Sequence, residues 1–122
     1  MDNHRKIAYR AGVRAEFIAA LFLMVRGYRV LARRYKTPVG EIDLIAANAR
    51  RLAFIEVKGR ADFEGAFGAV TLRQQQRIRR AAEHWLTNQT VTPPDEIGFD
   101  VIAIAPWKLP RHQKDAFSHM LP

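Results

Sequence analysis

Cysteine is absent from the chain. That excludes disulfides, cysteine-ligated zinc and thiol nucleophiles, and it fits a reducing compartment. Long apolar runs are also absent. The run Ile18 to Val25 falls far short of the roughly 20 residues needed to cross a bilayer. The start, Met1-Asp2-Asn3-His4-Arg5-Lys6, is charged, and the apolar stretch after it is broken by Arg10, Arg14 and Glu16. It does not read as a secretory signal, so a cytoplasmic location is the default expectation. There is no internal repeat and no low-complexity tract. The four histidines, His4, His84, His112 and His119, show no ligand spacing, so surface or core roles are expected for them.

Acidic residues are the scarcer charge: 12 Asp and Glu stand against 20 Lys and Arg, a net charge of +8. So basic a surface suits a polyanion, with nucleic acid the first candidate and an anionic membrane the second; a merely solvated basic surface is the plainest alternative. The 122 residues, 48% of them hydrophobic, are enough for one domain spanning 1–122 with a real core, and too apolar for a disordered chain.

The pattern predicts a helix from about Tyr9 to Arg26, ended by Gly27. A strand over Tyr28 to Tyr35 follows, then a loop at Thr37-Pro38-Val39-Gly40. Strands over Glu41 to Ala47 and Arg51 to Lys58 are joined by Asn48-Ala49-Arg50 as a hairpin. Gly59 to Val70 reads as a loop. A second helix is expected from about Leu72 to Asn88, capped by Thr71. Trp85 and Leu86 on it read as core. Pro93-Pro94 breaks the chain before a strand over Ile97 to Ala105, with Asp100 as a buried structural acid. The rest, from about residue 106, reads as a basic tail with a short helix near Lys114 to His119, and Trp107 as a pin for that tail or a ligand contact. The order αβββαβ predicts an α/β fold: a mixed four- to five-stranded sheet flanked by helices. Its first three strands form an antiparallel meander, and the third and fourth are parallel through a crossover helix.

Two segments hold most of the chemistry: Gly40-Glu41-Ile42-Asp43-Leu44-Ile45 and Phe54-Ile55-Glu56-Val57-Lys58. Strand alternation puts Glu56 and Lys58 on one face, and Glu41 and Asp43 on one face. Folding the hairpin about Ala49-Arg50 sets Asp43 opposite Glu56 and Glu41 opposite Lys58. Opposed carboxylates about 5 Å apart at Cβ repel. A divalent cation with hard oxygen ligands, Mg²⁺ or Mn²⁺, relieves that repulsion. Such an ion activates water and polarises a phosphoryl oxygen, and Lys58 can stabilise the charge that develops. Asp43, Glu56 and Lys58 are therefore the candidate catalytic residues, and Glu41 an additional one. The plainer alternative is a salt-bridged strand face with no ion.

The spacing of Asp43, Glu56 and Lys58 resembles the PD-(D/E)xK signature of restriction-endonuclease-like nucleases, among them archaeal Holliday-junction resolvases. Gly27-Tyr28, the GEIDLI and FIEVK blocks and Phe99-Asp100-Val101 together resemble the YraN family of bacterial proteins, over almost the whole chain. The resemblance implies a restriction-endonuclease-like fold and a metal-dependent endonuclease that hydrolyses DNA phosphodiester bonds, with branched or recombining DNA as substrate class. It also implies a metal site in which Glu16, on the first helix, joins Asp43 and Glu56. The chain departs from these patterns in three places. Ile42 precedes Asp43 where the signature has proline, Arg73 precedes Gln74 where the family usually has lysine, and Gly98 precedes Phe99 where it usually has arginine.

Arg33, Arg34 and Lys36 before the site strand, Arg60 after it, and Arg73 and Arg77 on the second helix are the candidate phosphate contacts. Arg79 and Arg80 share that helix, and some of these cations are simply solvated. DNA is the expected partner and no membrane is expected; cutting both strands of a junction favours a homodimer. Two other readings compete. One is a non-catalytic nucleic-acid-binding module that keeps the fold; the other is a scaffold whose basic face binds an acidic protein.

Overall fold

The computed structural model describes residues 3–60 and 70–117, and the side chains of the first helix from residue 12 onward. Helix α1 spans Asn3–Val25, starting well before the expected Tyr9. It ends where the sequence places the stop. Gly27 takes φ 90°, the Gly27 amide donates to the Met24 carbonyl at 3.1 Å, and the Tyr28 amide reaches back to Leu23 at 3.0 Å. This pair of bonds closes the helix and needs a residue without a Cβ at position 27.

Strands β1 (Arg29–Thr37), β2 (Gly40–Ala47) and β3 (Arg51–Gly59) form the antiparallel meander. The two-residue turn Pro38-Val39 is held by Thr37 Oγ1, which accepts from the amides of Val39 and Gly40. At the next turn the Asn48 carboxamide oxygen accepts from the amides of Arg50 and Arg51, at 2.9 and 2.8 Å. Helix α2 (Leu72–Thr87) starts with the reciprocal Thr71–Gln74 capping box. It carries the chain to β4 (Glu96–Ile104), which pairs in parallel with β3.

The sheet order is β1-β2-β3-β4-β5. The fifth strand, β5 (Arg111–Phe117), pairs antiparallel with β4 and replaces the expected helix near Lys114; His119 lies outside the described residues. The segment Arg-His-Gln-Lys-Asp-Ala-Phe has neither alternation nor β-branched residues, so nothing local announces a strand. Tertiary contacts set it: Phe117 stacks on Phe99 at 5.3 Å, and Asp115 is tied to Arg51 and Asp100. Trp107 is fully exposed and pins nothing within the described residues. Residues 61–69, most of the expected loop, lie outside the described residues.

Each face of the sheet carries one core. Ala19, Ala20 and Leu23 of α1 pack on Leu44, Ala46, Ala53, Ile55 and Ile102. Ile78, Ala81 and Ala82 of α2 pack on Ile42, Ile45, Phe54, Phe99 and Val101. Trp85 and Leu86 join this second core, as expected, with Trp85 edge-on to Phe54. Among the described residues, no helix is long and apolar enough to cross a membrane.

Gly40 fixes how closely α2 approaches. A Cβ at this position would overlap the Arg77 backbone carbonyl. Helix backbone cannot step aside as a side-chain tip can, so Gly40→Ala should lower stability by about 1–3 kcal/mol. A chemical denaturation midpoint equal to that of the unsubstituted protein would contradict this packing.

Candidate metal and phosphate site

Hairpin β2–β3 has the register expected from its sequence: Leu44 opposes Ile55, Ile45 opposes Phe54, Ala46 opposes Ala53 and Ala47 opposes Leu52. The Asn48 amide bonds the Arg51 carbonyl, so every second pair along the ladder exchanges backbone hydrogen bonds. By that count Asp43 and Glu56 fall at a non-hydrogen-bonded position, where facing side chains come closest. The paired register stops one step earlier, at Leu44–Ile55. Beyond it the Val57 amide, which the register would aim at residue 42, donates to Asp43 Oδ2 at 2.8 Å.

Strand β2 also turns over at this point. Ile42 joins the core under α2 while Leu44, two residues on, joins the core under α1. In a regular strand they would share a face. The slip opens the ladder at Asp43, and its carboxylate takes the place of a backbone acceptor. Asp43 lies close enough to Glu56 for the two carboxyls to share a hydrogen bond when one of them is protonated.

Burial is the main cause that lifts the Glu56 carboxyl, with the bond and charge of Asp43 adding to it and Lys58 opposing; together they push it up to about 9. Lys58 is itself buried, its Nζ 3.9 Å from Glu56 Oε1. The expected pairing of Glu41 with Lys58 lies beyond the end of the ladder. Lys58 is instead placed by Glu56, while exposed Glu41 lines a cleft of about 210 Å³ with Glu16, Arg34, Lys36, Ile42 and Asp43.

Glu16 is buried on α1, and its carboxylate accepts from Arg34 Nε at 2.7 Å. Burial raises its pKa, the Arg34 bond opposes that, and the nearby Asp43 charge raises it further. Arg34 reaches it from an irregular position in β1, with φ 51°. Among the described residues, no three His, Asp or Glu side chains are gathered as a ready cage for an ion. The donor set present is two hard carboxylates in contact, with a third acid on the same cleft held by a cation. Mg²⁺ keeps several waters and often needs only one or two protein carboxylates, so Asp43 and Glu56 fit such an ion without a closed cage.

The expected phosphate contacts divide. Lys36 and Arg34 line the acidic cleft. Arg33 lies over the Phe17 ring at 5.8 Å, and Arg60 donates to the Gly59 carbonyl at the end of β3. Arg73 and Arg77 belong to α2; Arg73 is exposed and Arg77 half-buried.

A second cluster carried no sequence signal beyond Asp100. Arg51 and Asp100, both buried, form a two-pronged ion pair. His112 Nε2 lies 2.7 Å from Asp100 Oδ2, and the Asp115 amide donates to Asp100 Oδ1 at 2.9 Å. A side chain at Gly98 would overlap the Arg51 guanidinium, which fills that space. The missing arginine at position 98 is thus matched by an arginine arriving from β3.

The sign of the Glu56 effect gives a pH prediction. Its folded pKa lies above the ordinary 4.5, so its contribution to stability is full below that value and is lost as pH rises towards about 9. Metal-free protein should therefore melt at falling temperature between about pH 5 and pH 9, and Glu56→Gln should flatten that slope. An ion held by Asp43 and Glu56 would release about one proton near neutral pH, read by calorimetry in buffers of different ionisation enthalpy.

The family model described as uncharacterised protein family UPF0102 matches residues 15–104. A UPF0102 protein of Rhodopseudomonas palustris (strain HaA2) is 50% identical over 113 residues, covering 93% of this chain and 88% of the relative. UPF0102 proteins of Sinorhizobium fredii and Agrobacterium fabrum are 45% and 48% identical over 116 residues, each covering 95% of both chains. The matched stretch runs from Ala15 beside Glu16 to the end of β4, and so contains Glu16, Asp43, Glu56 and Lys58: the chain belongs to the UPF0102 family, the YraN family that its GEIDLI and FIEVK blocks resemble.

Proposed function

We propose that this protein is a metal-dependent nuclease that hydrolyses DNA phosphodiester bonds, with the restriction-endonuclease-like chemistry that its motif resembles and with branched DNA as a substrate class. The observation that carries this reading is the meeting of Asp43, Glu56 and Lys58 where the β2–β3 ladder opens, beside a cleft that also holds Arg34 and Lys36. A purely structural sheet has little use for two touching carboxylates. Asp43 and Glu56 would hold Mg²⁺ or Mn²⁺, which supplies Lewis acidity and an activated water when bound. Lys58 is kept beside Glu56, a position from which its ammonium can face the phosphate under attack. Lys36 and Arg34 would hold flanking phosphates. Cleavage of both strands of a junction would call for a symmetric dimer.

The Glu16–Arg34 pair favours a second reading, a non-catalytic nucleic-acid-binding module, because that pair occupies an acid a three-ligand site would use. A cleavage panel separates the two: junction, flap, duplex and single-stranded DNA, each with Mg²⁺ and Mn²⁺. The nuclease reading expects metal-dependent products that vanish in Asp43→Ala. DNA binding that weakens steeply with salt, without products under any condition, would assign the binding module.

A further inference from the structure

A second cleft, of about 600 Å³, is lined by Arg26, Tyr28 and Asn48 near the β2–β3 turn and by His112, Gln113 and Lys114 of β5. It lies near the β2–β3 turn, whereas the acidic site lies where that hairpin's ladder opens. Glu16 and Arg26 mark the two places along α1 and its C-terminal cap. Ten residues separate them, about 15 Å of helix rise, or about four base pairs of duplex.

Two of the groups lining this cleft, Asn48 and His112, are held in place by hydrogen bonds. The Asn48 carboxamide oxygen is engaged by the amides of Arg50 and Arg51, so its NH₂ group is the part left to donate elsewhere. His112 is anchored through Nε2 on Asp100, and its ring stands edge-on to Tyr28 with centroids 6.1 Å apart. The neighbouring acids are taken up: Asp100 by Arg51 and His112, Asp115 by Arg51. Arg26 and Lys114 are the exposed cations of the lining. Amide donors and two cations around a small cleft, with Asp100 turned towards Arg51 and His112 and the exposed Asp115 towards Arg51, suit a phosphate group.

We propose that this cleft is a second phosphate-recognition site, which holds the backbone of a nucleic-acid strand whose other contacts are made at the acidic site. The proposal rests on the nucleic-acid reading above. It makes the footprint reach from the acidic cleft to the C-terminal end of α1, rather than centring it on the acidic cleft alone.

Asn48→Asp tests it with least damage to the fold, because an aspartate oxygen can still accept from the amides of residues 50 and 51. The change replaces the outward NH₂ with a carboxylate oxygen. Fluorescence anisotropy with a short duplex, in chelator so that no cleavage intervenes, is the measurement. Asn48→Asp and Arg26→Ala/Lys114→Ala should each bind about tenfold more weakly than wild type at unchanged melting temperature. In the double variant the slope of log affinity against log salt should be shallower by about one for each phosphate that the protein no longer neutralises. If these variants bind like wild type while Lys36→Ala binds more weakly, the second cleft is overturned and the acidic-site reading stands. If wild type itself shows no salt-dependent affinity for DNA, both fall together.

Discussion

Replacing Lys58 with alanine is expected to slow DNA cleavage by about a hundredfold or more while leaving DNA affinity close to wild type. Lys58 is buried and its ammonium stands 3.9 Å from Glu56, so it is held in place before any substrate arrives. A fixed charge of this kind acts chiefly on charge that builds up on phosphorus in the transition state, and its loss appears in kcat more than in binding. Single-turnover cleavage of the best substrate from the panel, beside anisotropy in chelator, separates the two quantities. Lys58→Arg keeps the charge but replaces a compact ammonium with a planar fork, so it should recover only part of the rate. A Lys58→Ala protein that cuts at the wild-type rate would remove this residue from the mechanism. Glu56→Ala should fail one step earlier, because the ion itself would be held poorly.

The second large effect concerns folding. Asp100→Ala should destabilise the protein by about 3–5 kcal/mol, because it strips the buried Arg51 guanidinium of its two-pronged partner and leaves it only the exposed Asp115. Burial alone would push the Asp100 carboxyl up. The bonds from Arg51, His112 and the Asp115 amide outweigh it and hold the pKa below the ordinary 3.8. A depressed carboxyl contributes stability that is present above its unfolded pKa and lost as pH falls through its folded pKa. Wild type should therefore lose this contribution only below about pH 4, while Asp100→Asn should show a flatter acid limb. Urea denaturation across that range reads both effects. A wild-type midpoint in Asp100→Ala would mean that Arg51 finds water or another acceptor at no cost. The two large effects also separate function from stability. Lys58 sits beyond the end of the β2–β3 ladder, and its loss is read in the cleavage rate; Asp100 is tied to β5, and its loss is read in stability.

The local chemistry of the chain was enough to place the hairpin and its register. Asn48 next to Arg50 and Arg51 makes a turn whose amides are satisfied by its own side chain, and strand alternation then carries Asp43 to Glu56 by simple counting. Gly27 and Thr71 likewise announce the end of α1 and the start of α2, because a positive φ and an N-terminal cap are properties of single residues and their nearest neighbours. Three things depended on how distant elements were laid against one another. Arg34 claims Glu16 only because α1 crosses the sheet over an irregular point in β1, eighteen residues on in the chain. Asp100 finds Arg51 across the parallel β3–β4 pair, forty-nine residues away. Strand β5 forms because Phe117 and Asp115 have partners on β4 and β3, although their own segment has no strand pattern. Backbone propensity and side-chain period act over a few residues and can be read along the chain, whereas ion pairs and edge strands take their energy from groups that only the packed sheet brings into contact.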